Sequence, residues 1–159
     1  MKIIKNFLPQ NKFIKVKELI TGDHFPWFYK DNTEIKGGYF CHSFFYNNQI
    51  NSTLNYECTQ DIYKILKPTA LIEARANLFF SLLFNNKKAQ WHTDYNYNNW
   101  TSILYLNTTD GGTEFKINNK IKPIKAEENK MIIFKCNTLH RPILTSSFEK
   151  RYIINFNYF

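Results

Sequence analysis

The residues with types and spacing suited to chemistry lie in the second half of the chain. Trp91-His92-Thr93-Asp94 contains a His-x-Asp pair, His140 follows, and Arg151 comes 11 residues later. On a strand, residues i and i+2 point to the same face, so the His92 imidazole and the Asp94 carboxylate would converge on one point. His140 follows the apolar run 131–135 after a short turn containing Asn137. Two histidines and one carboxylate form a facial triad, which leaves three adjacent positions open on a non-haem Fe(II). Oxygen activation needs that vacancy, with two positions for a chelating cosubstrate and one for O2. Such a cosubstrate needs an anchor for its far carboxylate. Arg151 heads the run Arg151-Tyr152-Ile153-Ile154-Asn155-Phe156-Asn157-Tyr158-Phe159. In strand geometry Arg151, Ile153, Asn155 and Asn157 share one face. An arginine and two amides make a poor core surface and a good polar pocket floor.

The elements that must position these residues follow from periodicity. Residues 9–20 read as an amphipathic helix, with Phe13, Val16 and Ile20 at helical spacing and Gly22 as the stop. Residues 59–66 read as a second helix, with Thr59 as N-cap, Asp61 in the first turn and Pro68 beyond the end. From residue 71 the texture changes. The runs 71–84, 101–106, 113–117, 131–135 and 152–159 are rich in Ile, Phe and Tyr. Turn signals separate them: Asn85-Asn86, Asp110-Gly111-Gly112, Asn118-Asn119 and Asn137. Gly111-Gly112 reads as a strand-to-strand turn that needs positive φ. The expectation is a mainly β sandwich or barrel over 71–159, supported by a helical segment over 1–70, in one domain spanning 1–159. The aromatic segment 25–29 reads as a plug at the core edge, or as a wall of a substrate cleft. His24 and His42 stand outside any ligand spacing and read as surface or core histidines.

Composition bounds the function. The chain has 159 residues and a formal net charge of +8, carried by 18 Lys and only Arg75, Arg141 and Arg151 as arginines. With 20 Asn and 18 Ile beside those lysines, the usage is that of an AT-rich genome, so much of the charge is compositional bias. Each arginine is then the more informative, because lysine cannot imitate its planar fork at a carboxylate. Arg75 reads as a cleft residue beside Asn77 or as an ion pair with Glu73; Arg141 points away from His140 and reads as structural, or as a residue of the cleft rim. The lysines are dispersed, with no polybasic tail, which favours a solvated surface over a dedicated nucleic-acid patch. No apolar run reaches the roughly 20 residues that span a bilayer, and Met1-Lys2-Ile3-Ile4-Lys5 does not read as a secretory signal. Cys41, Cys58 and Cys136 lie far apart and read as reduced thiols in a cytoplasmic setting.

The pattern His92-x-Asp94, Ile103-Leu104-Tyr105-Leu106-Asn107, Gly111-Gly112-Thr113-Glu114-Phe115, Asn129-Lys130-Met131-Ile132-Ile133-Phe134, His140 and Arg151-Tyr152 resembles the Fe(II)/2-oxoglutarate-dependent oxygenases, and within them the prolyl 4-hydroxylase-like group. The resemblance covers about residues 71–159, and the ending 155–159 is similar to small free-standing versions carried by bacteriophages. It implies a double-stranded β-helix core with N-terminal helices. It also implies Fe(II) as the metal, with 2-oxoglutarate and O2 as cosubstrates. His92, Asp94 and His140 match the family's iron ligands. Arg151 matches the residue that pairs with the distal carboxylate of 2-oxoglutarate, and Tyr105 a tyrosine that hydrogen-bonds the same carboxylate. Asn77 falls near a position where many relatives carry a tyrosine facing the cosubstrate, and Asn155 shares the pocket face with Arg151. The implied reaction is hydroxylation of a polypeptide, at proline, with release of succinate and CO2. Two other classes stay open from the residues alone: a cupin-like metal-dependent isomerase or sugar-binding protein, and a basic, non-catalytic nucleic-acid-binding module.

Overall fold

Strict alternation in the last strand sets the architecture. Strand β11 (Lys150–Tyr158) turns Tyr152, Ile154, Phe156 and Tyr158 to one side and Arg151, Ile153, Asn155 and Asn157 to the other. The first set packs under two helices, and the second faces a smaller sheet. The computed structural model describes residues 1–31, 38–80, 89–145 and 149–159.

The large sheet is antiparallel throughout. Its order runs β1 (Lys2–Ile4), β9 (Lys130–Lys135), β6 (Trp100–Tyr105), β11, β5 (Leu71–Phe80), β3 (Tyr39–Tyr46) and β2 (Phe28–Lys30), with β4 (Gln49–Ile50) paired to β3. The small sheet has the order β10 (His140–Ile143), β7 (Gly112–Ile117) and β8 (Lys120–Lys125). The two sheets face each other across a core of Phe115, Ile124, Ile132, Phe134 and Ile153. This is the double-stranded β-helix arrangement that the sequence resemblance implies.

Helices α1 (Gln10–Thr21) and α2 (Asn55–Leu66) cover the outer face of the large sheet. Phe13, Val16 and Ile20 of α1 and Cys58 and Ile62 of α2 are buried with Ala74, Ala76, Ile154 and Phe156 of the sheet. Full burial of side chains this size stabilises by about 1.5–3 kcal/mol each. Gly22 follows α1, as expected. The second helix starts four residues before the expected cap. Thr59 lies within it, and its hydroxyl donates back to the Asn55 carbonyl at 2.6 Å, a local bond that mimics a capping signature in sequence. No described helix is long and apolar enough to cross a membrane, and the three cysteines are free thiols.

Several expectations are corrected. Residues 1–70 supply strands as well as helices, and β3 is a full member of the large sheet. Apart from His42 and Ser43, every residue of β3 is aromatic or Cys, which hides its period of two. Gly111 and Gly112 do not have positive φ; among the described glycines only Gly38 does. Close approach requires them instead. A Cβ on Gly112 would stand 2.1 Å from the Ile124 carbonyl oxygen, and one on Gly111 2.8 Å from that of Ile143. The Asn118-Asn119 turn is as expected, with φ of 50° and 60° at its two residues. The Asn85-Asn86 signal, and the end of the 71–84 run beyond Phe80, lie outside the described residues.

Asn129 ties the segment before α1 to the sheet. Its side-chain oxygen accepts from the Leu8 N–H at 3.0 Å, its NH2 donates to the Leu8 carbonyl at 2.9 Å, and its carbonyl accepts from the Phe7 N–H at 3.0 Å. It is buried and has φ of 56°, a region that asparagine tolerates better than most residues. Asn129→Ala is expected to cost about 3 kcal/mol, from two lost buried hydrogen bonds and a strained backbone. Asn129→Gly should recover only the backbone part. Urea midpoints of the three proteins measure this directly.

Candidate metal centre and anion pocket

The site lies between the sheets at one mouth, in a cavity of about 420 Å³. His92 is held beside His140 by a reciprocal pair of backbone hydrogen bonds, N–H to O at 3.0 and 2.9 Å, so the segment before β6 adds one bridge to the small sheet. The Asp94 N–H donates to the Cys136 carbonyl at 3.1 Å, which sets the carboxylate on the same face as the His92 ring. Asp94 Oδ1 lies 4.0 Å from His92 Nε2 and 3.7 Å from His140 Nε2. These gaps are too long for direct hydrogen bonds. One ligand atom from each residue fits within a 4.8 Å group that could hold a single ion. Neighbouring carbonyls set the tautomers. His140 Nδ1 lies 2.9 Å from the Thr138 oxygen and His92 Nδ1 3.4 Å from the Gln90 oxygen. With the proton on Nδ1, both Nε2 lone pairs turn toward Asp94.

The other Asp94 oxygen is also fixed. Thr101 Oγ1 lies 2.9 Å from Asp94 Oδ2 and 2.6 Å from the side-chain oxygen position of Asn157. One hydroxyl has one proton to give. The bonding is satisfied when the Asn157 amide presents its NH2 to Thr101, and Thr101 donates to Asp94. Asp94 Oδ2 is thereby occupied, and Oδ1 remains for an ion. Cys136 fastens the loop that follows: its thiol lies 2.8 Å from the Tyr97 carbonyl oxygen and against the Asn99 side-chain oxygen. On the approach to His92, Arg141 forks onto Glu114 at 2.7 and 2.6 Å and lies 4.3 Å from the Trp91 ring. Arg141 is structural, as expected. The sequence reading did not single out Thr101 or Asn99, took Cys136 only as a reduced thiol, and used Asn157 only as a pocket-face residue. A Thr at the second position of the same strand as Tyr105 carries no motif of its own.

Arg151 lines the opposite part of the cavity and is 1% exposed. Its Nη1 donates to the Gly112 carbonyl at 2.5 Å, and its guanidinium carbon lies 4.5 Å from the Phe79 ring centroid. Among the described residues no carboxylate pairs with it, and its Nε has no hydrogen-bond partner. Burial pulls its pKa down to about 10. Tyr105 is fully buried beside it. The Tyr105 hydroxyl meets Thr113 Oγ1 at 2.7 Å, and burial raises its pKa. Thr113, which the sequence reading left unassigned, forms the cavity wall in front of it. Asn77 and Asn155 also line the cavity, and the side-chain oxygen of each lacks a partner among the described residues. Arg75 satisfies both of its expectations at once: it lines the cavity and donates from Nη1 to Glu73 at 2.9 Å.

His24 is exposed. His42 is a satisfied core residue, its ring nitrogens 2.8 Å from the Pro26 oxygen and 2.7 Å from Ser52 Oγ. In the 25–29 segment Phe25 is buried in the core, Trp27 packs on Tyr152, and Phe28 and Tyr29 are exposed. None of the five lines this cavity. Its aromatic wall is Tyr39 stacked on Phe79 at 5.1 Å.

The donor set and the cavity together fit a divalent metal at one end and an organic dianion reaching the buried cation at the other. The family model described as the 2OG-Fe(II) oxygenase superfamily matches residues 79–159, just over half of the chain. That span contains His92, Asp94, Tyr105, His140, Arg151 and Asn155; Asn77 lies just before it. A prolyl hydroxylase from Trichoplax adhaerens, solved with a hypoxia inducible factor oxygen degradation domain peptide fragment, superposes with a TM-score of 0.74 at 14% identity, over 99% of this chain and 82% of that one. The alpha ketoglutarate dependent epimerase SnoN from nogalamycin biosynthesis gives 0.70 at 12% identity, over 99% and 76%. A Pseudomonas putida prolyl-4-hydroxylase gives 0.64 at 13% identity, over 99% and 91%. No curated protein sequence matches the chain. On the strength of the family match, the chain belongs to the 2OG-Fe(II) oxygenase superfamily, with Fe(II) as its metal and 2-oxoglutarate and O2 as its cosubstrates.

Proposed function

We propose that the protein hydroxylates a prolyl residue in a polypeptide, converting substrate, 2-oxoglutarate and O2 to hydroxylated substrate, succinate and CO2. The observation that carries the oxygenase chemistry is the buried Arg151 guanidinium, without a carboxylate partner among the described residues, in the same cavity as the His92, Asp94 and His140 cluster. In this reading the three clustered residues hold Fe(II), and Arg151 holds the distal carboxylate of 2-oxoglutarate. Tyr105 acts with it through Thr113. Asn77 and Asn155 offer amides to the near end of the cosubstrate.

Bound iron supplies the oxidising power for C–H hydroxylation. The chain's own residues do the positioning. Thr101 keeps Asp94 Oδ2 away from the metal face, and the Gln90 and Thr138 carbonyls keep the Nδ1 protons on the two histidines. Phe79, Ile103 and Ile153 make the pocket walls apolar, which strengthens the Arg151 charge toward a carboxylate. The prolyl assignment is supported by the two prolyl hydroxylase structures, one of them with a bound peptide, and by the dispersed lysines. The stacked Tyr39 gives a pyrrolidine ring an apolar surface.

Succinate release, stimulated by proline-rich peptides and by single-stranded oligonucleotides across a salt series, tests the substrate class. Peptides should stimulate it with little salt dependence. Stimulation by oligonucleotides alone, with a slope of about −0.7 per phosphate contact, would overturn the prolyl reading and leave the oxygenase chemistry. Thr101→Val keeps the side-chain shape and removes the hydroxyl. It is expected to weaken Fe(II) binding about 10-fold or more, as loss of an outer hydrogen bond to a ligand does elsewhere. Titration with Mn(II), followed by relaxation or calorimetry, reads this without turnover.

A further inference from the structure

A second cleft of about 360 Å³ opens beside the first and shares Lys30, Arg75 and Asp94 with it. The two form one path past Asp94. Its floor is the β3–β5 part of the large sheet, where Ser43 pairs with Arg75 and Cys41 with Asn77. The neighbouring Lys30 comes from the end of β2. Glu73 engages only Nη1 of Arg75; Nε is shielded from solvent and has no partner among the described residues. Asp94 is turned to the histidines and Thr101. Lys30 and Arg75 face Glu73 and Asp94 in this cleft; once a divalent ion takes up the Asp94 charge, the lining keeps one net positive charge. The half-buried Cys41 thiol lies within the field of Lys30, Arg75 and Glu73.

We propose that this cleft binds a carboxylate carried by the substrate close to the carbon that is oxidised, held by the Arg75 guanidinium and by Lys30. One net charge matches a monoanion. A phosphate dianion would leave charge unbalanced beside Glu73. The inference rests on the oxygenase reading above and adds the chemistry of the substrate's second contact. The carboxylate could come from an acidic residue next to the target proline, or from the α-carboxylate of a free imino acid.

Cys41 reports on the cleft without turnover. The full chain, with Mn(II) and 2-oxoglutarate filling the inner pocket, is alkylated with iodoacetate and separately with iodoacetamide, and modification of Cys41 is followed by mass spectrometry. The ratio of the two rates, relative to that for N-acetylcysteinamide, should be raised about threefold or more by the local positive potential. It should fall in Lys30→Gln and in Arg75→Gln, and stay unchanged in Lys15→Gln on α1. Lys30 is exposed, so its variant keeps the test alive should Arg75→Gln fail to fold. A ratio at or below that of the free thiol, or one unchanged in both cleft variants, would overturn the proposal.

Succinate release then separates the sources. A Glu-Pro peptide should half-saturate about tenfold lower than its Gln-Pro counterpart, with no release from free L-proline. Release from free L-proline alone would keep the carboxylate site and remove the polypeptide. Equal half-saturation of the two peptides would overturn the site and leave the proposed reaction. Without succinate from any of them, the prolyl reading falls while the alkylation ratio still decides the cleft.

Discussion

A buried cation with no counter-ion among the described residues is the constraint around which this site is arranged. Arg151 is almost wholly shielded, and one carbonyl contact with the Gly112 oxygen does not offset the loss of water around a full positive charge. Its depressed pKa expresses that cost. At neutral pH the group is charged in both folded and unfolded chains, so the penalty is constant there. It is relieved only as pH rises through the folded pKa of about 10 toward the unfolded value. A bound carboxylate would relieve it at neutral pH. The surroundings are arranged for that: a ring on one side, a backbone carbonyl opposite, and a tyrosine and threonine at the edge.

The rest of the structure makes that arrangement affordable by separating two tasks. The outer face of the large sheet, with α1 and α2, is a continuous apolar core. The inner face can then carry Arg75, Asn77, Arg151, Asn155 and Asn157 without losing the fold. The metal cluster is built differently. His92 and Asp94 come from a segment with no regular strand, and its rigidity derives from the His140 bridge, the Cys136 thiol and the Arg141–Glu114 fork. A loop so pinned can present its two ligand atoms as reproducibly as a strand can.

Much of this was legible in the sequence because it depended on short-range pattern. His-x-Asp, the alternation from Arg151 to Asn157, and the helical spacing of Phe13, Val16 and Ile20 each declare themselves within a few residues. Some of the misread parts depend on partners distant in sequence. Thr101 matters because Asn157 lies 56 residues away, and Gly112 because Ile124 crosses its backbone. Strand β3 was hidden by aromatic residues on both faces, and Thr59 imitated a cap while bonding back to Asn55. The segment 25–29 read as a core plug or a cleft wall; Phe25 plugs the core, while Phe28 and Tyr29 face solvent.

Calorimetric titration with 2-oxoglutarate, without oxygen and with Mn(II) present, bears most directly on the role of Arg151. Removing a charge-assisted, bidentate contact in Arg151→Leu should raise the dissociation constant about 30- to 1000-fold, with Mn(II) affinity nearly unchanged. 2-Oxopentanoate, which lacks the distal carboxylate, should bind the parent weakly and lose little more in the variant. Equal affinity of parent and Arg151→Leu for 2-oxoglutarate would contradict the assignment and place the cosubstrate's anchor elsewhere.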